Sequence, residues 1–150
     1  MRWIALMCLA AACGGEVDPA ADGLPSIAGY QTWTLAVTAE GPLAGHGDSV
    51  RVIYANPVAR NFSHSGRYQN GSVLVKEVYR RNDDGTRGTL RYLAIMRKVG
   101  DDAQISAPVE GGWVWTTADD VDAEEYHSGA CWATCHIQAA HDGAWIDYGQ

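Results

Sequence analysis

The sequence predicts an α+β fold, a mostly antiparallel sheet with flanking helices, and three observations carry that expectation. Short runs rich in β-branched residues recur at Ser49–Ala55, Ser72–Tyr79, Thr89–Arg97 and Gly111–Thr117. Turn formers separate them, notably Asn56-Pro57, Asn70-Gly71 and Asn82-Asp83-Asp84-Gly85. The segments with helical character, an acidic stretch and a cysteine-bearing stretch, come after the last strand. Four strands with helices toward the ends describe an α+β domain.

The chain opens on Met1 to Ala12, one positive charge followed by an almost unbroken apolar run. It is too short to cross a bilayer as a permanent helix and has the form of a secretory signal. Ala10-Ala11-Ala12-Cys13-Gly14-Gly15 resembles the lipobox of bacterial lipoproteins, with Ala in place of the more typical Leu three positions before the cysteine. Residues 1–12 are thus expected to be a signal peptide and residues 13–28 a lipidated N-terminus and tether, Glu16 to Pro25 being rich in Ala, Asp, Gly and Pro. Cleavage without lipidation near Ala12 and a retained signal-anchor are the alternatives. Residues 29–150 form the remaining domain, large enough for one modest core and one pocket. The expected location is the bacterial cell envelope, facing the periplasm, with a lipid anchor at Cys13 in the membrane.

Tyr30–Thr38 reads as a first helix or a strand, and the residues leave both open. Gly41 to Asp48 is loop by its Gly and Pro content, and Ser49–Ala55 follows as a strand. Ser72–Tyr79 is the clearest strand and pairs antiparallel with Thr89–Arg97 across the Arg80–Gly88 loop. After Gly111–Thr117, the acidic residues Asp119, Asp120, Asp122, Glu124 and Glu125 suit the first turns of a helix, where carboxylates face unpaired N–H groups.

Ser72–Tyr79 has a charged residue on each side. Val73, Val75, Glu77 and Tyr79 share one face, and Leu74, Lys76 and Val78 the other. One reading is a thin or edge sheet from which a long stem carries the charge to water. The other points Lys76 or Glu77 into a cavity, where a charge needs a partner or a shifted pKa.

The chain carries 11 basic and 18 acidic residues, a net charge of −7, and no basic run longer than Arg80-Arg81. That balance argues against nucleic acid as a partner. Six Trp and seven Tyr stand against one Phe, a composition that suits the wall of a pocket for a flat, partly polar ligand and suits a small core equally.

Once the signal and Cys13 are set aside, Cys131 and Cys135 are the only cysteines left to the domain, and His136 follows directly. On a helix the two cysteines share a face with Cβ atoms about 5–6 Å apart. The haem-attachment signature is C-x-x-C-H; here three residues intervene. Both thiols bonded to haem, Cys135 alone bonded, and haem held without the usual pair of bonds are three outcomes of that spacing. A Cys131–Cys135 disulfide, a zinc site built from His127, Cys131 and Cys135 with His136, His141 or Asp142, and two inert thiols are the rivals. His46 and His64 lie in Gly- and Ser-rich loops and read as solvated, with a place at a pocket mouth as the alternative for each.

Several segments in order resemble the cytochrome P-460 family, small exported c-type haem proteins of mostly antiparallel sheet. They are Tyr30 and Trp33, Val50–Asn56, Gly71–Tyr79, Ala94–Lys98, Gly112-Trp113 with Trp115, and Cys135-His136 followed by Ala139-Ala140 and Asp142. The resemblance implies haem c, with His136 as proximal iron ligand, Cys131 and Cys135 as thioethers, and an open iron face. Enzymatic members also bond a lysine to the macrocycle and set a carboxylate over the open face, for hydroxylamine or hydrazine-type substrates. Lys76 aligns with that lysine, and Glu77 or Glu110 are the candidate carboxylates. Related beta-type cytochromes c-prime bind nitric oxide or carbon monoxide in apolar pockets without the lysine bond. The expected function is therefore a mono-haem cytochrome that oxidises a small nitrogen compound. The alternatives are a nitric oxide-binding or electron-transfer cytochrome, or a zinc- or disulfide-stabilised lipoprotein. A redox partner protein and a second copy of the chain are the candidate macromolecular partners.

Overall fold

The computed structural model describes residues 15–62 and 66–145. The signal sequence, Cys13 and His64 lie outside the described residues. Seven strands form one antiparallel sheet: β1 (Glu16–Val17), β2 (Thr34–Leu43), β3 (Gly47–Ala55), β4 (Val73–Arg81), β5 (Arg87–Lys98), β6 (Trp113–Ala118) and β7 (Glu125–His127). Their spatial order is β1-β7-β6-β5-β4-β3-β2. Consecutive strands from β2 to β7 are neighbours, so short turns suffice to connect most of them.

Flanking helices are barely present. Among the described residues the helical elements are 3₁₀ turns at Tyr30–Thr32, Ala59–Asn61 and His136–Gln138, and one π-helical turn at Cys131–Cys135. The acidic stretch is not a helix. Asp120 Oδ1 accepts the Asp122 N–H at 3.0 Å, a side-chain turn that competes with helix, and Glu125 is drawn into β7. Tyr30–Thr38 combines both expectations, one 3₁₀ turn followed by β2. The expected loop from Gly41 narrows to a hairpin turn at residues 44–46.

Residues 16–27, assigned by composition to a tether, pack on the sheet. Val17, Leu24 and Ile27 are buried, and the Asp22 carboxylate accepts the N–H groups of Ser106 and Ala107 at 2.7 and 3.0 Å. Three apolar side chains in a polar segment are enough to anchor it.

Pairing assigns the two faces, because directly opposed residues lie on the same side. Lys76 opposes Ile53 and Ala94, Leu74 opposes Met96, and Met96 opposes Trp115. This face carries one core with Trp113, Tyr68 and Ala144. Val73, Val75, Leu93 and Ile95 face the other way, against Ile27 and Tyr30. On that side a bidentate ion pair is sealed in: Arg97 Nη1 and Nη2 donate to Glu125 Oε2 and Oε1 at 2.6 and 2.7 Å. Thr116 donates its hydroxyl to the same carboxylate, and Arg97 Nε donates to the Pro25 carbonyl at 2.9 Å.

Candidate functional site

The cysteine segment follows β7 and folds over the Trp115 face of the sheet. The His136 N–H donates to the carbonyls of Cys131 and Trp132. The bond to Cys131 spans five residues, the π-helical pattern, which admits one more residue per turn than an α-helical bond does. The third residue between the cysteines is absorbed in this way, and both thiols border the same cavity. Trp132 turns away from the cavity and packs against the core of Trp113 and Trp115. Gly111, at φ +61°, lies so close under the Trp132 ring that any β-carbon there would overlap it.

The cavity measures about 730 Å³ and is bordered by Cys131, Cys135, His136, Lys76, Tyr92 and Ala94, among others. It falls in the range of roughly 300–1,000 Å³ typical of small-molecule and cofactor sites. His136 is buried, with its ring 4.7 Å from that of Trp115. Its Nδ1 donates to the Gly143 carbonyl at 2.6 Å, which leaves Nε2 without a proton and able to act as a ligand. Burial holds the His136 pKa below the usual imidazole range, against the raising effect of the Gly143 bond.

A rigid corner holds Gly143 in place. Asp142 adopts a left-handed backbone, φ 51°, which costs a non-glycine residue energy. Its carboxylate accepts from Lys98 Nζ at 3.0 Å and from the Tyr68 N–H at 2.9 Å, while its carbonyl accepts from Trp113 Nε1 at 2.7 Å. Lys98 also donates to the Gly111 carbonyl at 3.1 Å. Replacing Asp142 by Ala is expected to cost about 1–3 kcal/mol of stability, since a partly buried cation loses its partner. It should also loosen the Gly143 carbonyl. Denaturant melts check the first effect, and the ¹⁵N shifts of the His136 ring, which report its tautomer, check the second.

Lys76 reaches the cavity, as one reading of the strand expected. Glu77 does not. Strand alternation puts it on the opposite face, buried, with its Oε1 accepting the Tyr30 hydroxyl at 2.8 Å. Glu110 lies beside His127, 3.5 Å from its Nε2, and its backbone is bridged to Trp113. The carboxylates that do border the cavity are Asp119 and Glu124. Both come from the stretch expected to be helical; continuing the β6 alternation past Thr117 would have flagged Asp119. His46, read as a solvated loop histidine, also borders the cavity.

Two of the rival readings of the cysteines, the disulfide and the zinc site, do not fit this geometry. Both thiols are free, so the disulfide is not formed. Among the described residues no three His, Cys, Asp or Glu side chains converge on a metal site, since His127 turns toward Glu110 and Asp142 is bound to Lys98. The cytochrome P460 family model matches residues 27–146. The chain belongs to the cytochrome P460 family. No curated protein matches it.

As a cytochrome P460, the protein binds c-type haem and its iron. The donor set fits that group: two free thiols and an imidazole of fixed tautomer border one largely apolar cavity. An Nδ1–H bonded to a backbone carbonyl is the usual outer support of a metal-bound histidine. Members of the family are generally exported, and among the described residues no helix is long and apolar enough to cross a membrane.

Proposed function

We propose that this cytochrome oxidises hydroxylamine or a similarly small nitrogen compound, at the periplasm-facing side of the bacterial envelope, and is anchored there by lipid at Cys13. The observation that carries the catalytic reading is the position of Lys76 Nζ. The lysine shares one cavity with Cys131, Cys135 and His136, as a bond between its amine and the macrocycle requires.

His136 Nε2 would hold the iron, and Cys131 and Cys135 would hold the macrocycle through thioethers. When bound, the haem would supply the redox chemistry, with a redox partner protein as the proposed electron acceptor. The chain's own residues do the rest. The Gly143 carbonyl fixes the imidazole, and Asp119 or Glu124 can take a proton from a substrate held in the cavity.

The test is the reduced protein, matured in a host that makes c-type haem. A strongly red-shifted main absorption band, a haem-linked Lys76 peptide and hydroxylamine turnover support the reading. An ordinary c-type spectrum with no turnover transfers the assignment to nitric oxide binding or simple electron transfer. Intact mass of the envelope protein reads the acyl chains on Cys13.

The π-helical turn makes a separate prediction. Because both thiols border the cavity, Cys131→Ser and Cys135→Ser are each expected to leave haem attached through the remaining sulfur, and the double variant to lose the thioether bonds. Mass of the denatured, lysine-digested peptide measures this. Loss of the haem from the denatured peptide in Cys135→Ser, with retention in Cys131→Ser, would show that Cys135 alone makes the bond.

A further inference from the structure

The hairpin joining β2 to β3 places a histidine over the cavity. Gly45 and Gly47 take positive φ angles of 78° and 65°, the His46 N–H donates to the Leu43 carbonyl at 3.0 Å, and Arg91 Nη1 donates to the His46 carbonyl at 3.1 Å. The residue is therefore fixed from both sides. Beneath it, the pairing of Lys76 with Ala94 and of Val78 with Tyr92 puts Lys76 and Tyr92 on the same face of β4 and β5 as diagonal neighbours. His46 bridges them. Lys76 Nζ is 3.0 Å from His46 Nε2, and His46 Nδ1 is 2.8 Å from the Tyr92 hydroxyl.

We propose that His46 and Tyr92 form a proton relay that strips the Lys76 ammonium and leaves its amine free to react with an electrophilic carbon in the cavity. The arrangement meets the geometric test for an activated nucleophile: a base within hydrogen-bond reach, itself oriented by a third group. The inference deepens the proposed function at Lys76 and takes from it only that the lysine acts through its amine.

The hydrogen bonds fix the direction of transfer. An ammonium can only donate, so His46 Nε2 accepts from Lys76, and the remaining ring proton on Nδ1 donates to the Tyr92 oxygen. Tyr92 is half-buried and borders the cavity, and in the relay its own hydroxyl proton passes on to solvent. One proton leaves Lys76 Nζ, one moves from His46 Nδ1 to Tyr92, and one leaves the Tyr92 oxygen. The imidazole exchanges tautomers and ends neutral, and the Lys76 lone pair is exposed.

Exchange of tautomers matters because a positively charged His46 is disfavoured. Burial first, then Lys76 and Arg51, push the His46 pKa down to about 4. Burial likewise brings Lys76 down to about 8, opposed by the cysteines. The charged or titratable groups facing the cluster are Arg51 from β3, Arg91 from β5, Cys131, Cys135 and His136 from the turns across the cavity, and Asp119, Glu124 and Tyr126 at the cavity wall.

The experiment is trace acetylation of the full cofactor-free chain with acetic anhydride, read peptide by peptide by mass. The amine forms the N–C bond, acetate leaves, and the ammonium proton departs through His46. Lys98, the other lysine of the chain, is the internal reference. Wild-type Lys76 should react faster than Lys98 near neutral pH. His46→Ala, His46→Gln and Tyr92→Phe should each slow Lys76 by about tenfold or more relative to Lys98, the lower end of what a positioned proton-transfer group contributes being larger still. Tyr92→Phe removes one oxygen and keeps the ring, so its effect cannot be assigned to misfolding. An unchanged Lys76 rate in Tyr92→Phe or in His46→Gln overturns the relay. Slowed labelling in these variants beside a matured protein with no Lys76–haem bond would reject the proposed hydroxylamine chemistry and leave the relay standing.

Discussion

Glu125→Ala is expected to destabilise the protein by about 3–5 kcal/mol, because removing one partner of a buried ion pair leaves the other charge uncompensated. Arg97 would keep only the Pro25 carbonyl and Thr116 hydroxyl as neighbours for a guanidinium whose side chain is 1% exposed. For a domain of this size the melting temperature should fall by roughly 10–20 °C. Thermal unfolding of the cofactor-free protein measures it. The control is the double replacement Arg97→Met with Glu125→Leu, which should recover most of the loss, since apolar substitutes for a buried pair are often neutral or better. A single variant that melts within 2 or 3 °C of wild type, about 1 kcal/mol or less, would show that water reaches the pair.

His136→Ala should abolish the function while sparing the fold. On the proposed function the iron would lose its protein nitrogen ligand, and the rate of substrate oxidation should then fall by more than the roughly 10–100-fold that follows loss of a ligand's outer partner. Thioether bonds at Cys131 and Cys135, as proposed, would not pass through the imidazole, so the haem should stay attached. Added imidazole should enter the space left against Trp115 and restore part of the iron spectrum. Visible spectra with and without imidazole check this; a variant spectrum identical to wild type would remove His136 from the iron.

The central strands were legible because their residues satisfy two demands at once. Ser72–Tyr79 alternates, is rich in Val, and is bounded by Asn70-Gly71, and the structure gives β4 as Val73–Arg81. Ser49–Ala55, Thr89–Arg97 and Gly111–Thr117 likewise fall within β3, β5 and β6 or overrun them by two residues or fewer. The short edge elements were not legible. Val17 and Tyr126 belong to strands of two and three residues, too short for a periodicity and held by contacts distant in sequence, Arg97 with Glu125 above all.

The site was legible where residues are adjacent and illegible where they converge. Cys131, Cys135 and His136 sit within six positions. Lys76 is one of two charges on opposite faces of one strand, and which of them enters the cavity depends on which face the cysteine segment covers. His46 reaches the cavity only because a tight hairpin folds β2 back on β3, which no composition rule for a Gly-rich stretch conveys. Asp119 and Glu124 were hidden by an acidic pattern that suits a helix start equally well.

The widened bond from His136 to Cys131 separates two quantities usually treated as one, the number of residues between two side chains and the distance between them in space. A tally of haem proteins that accepts only a gap of two will pass over this chain. Any lineage able to open one hydrogen-bonded ring by a residue can lengthen the gap while keeping both sulfurs at the cavity wall. Counting such proteins therefore calls for a pattern that tolerates the longer gap and asks in exchange for the downstream carbonyl that steadies the imidazole.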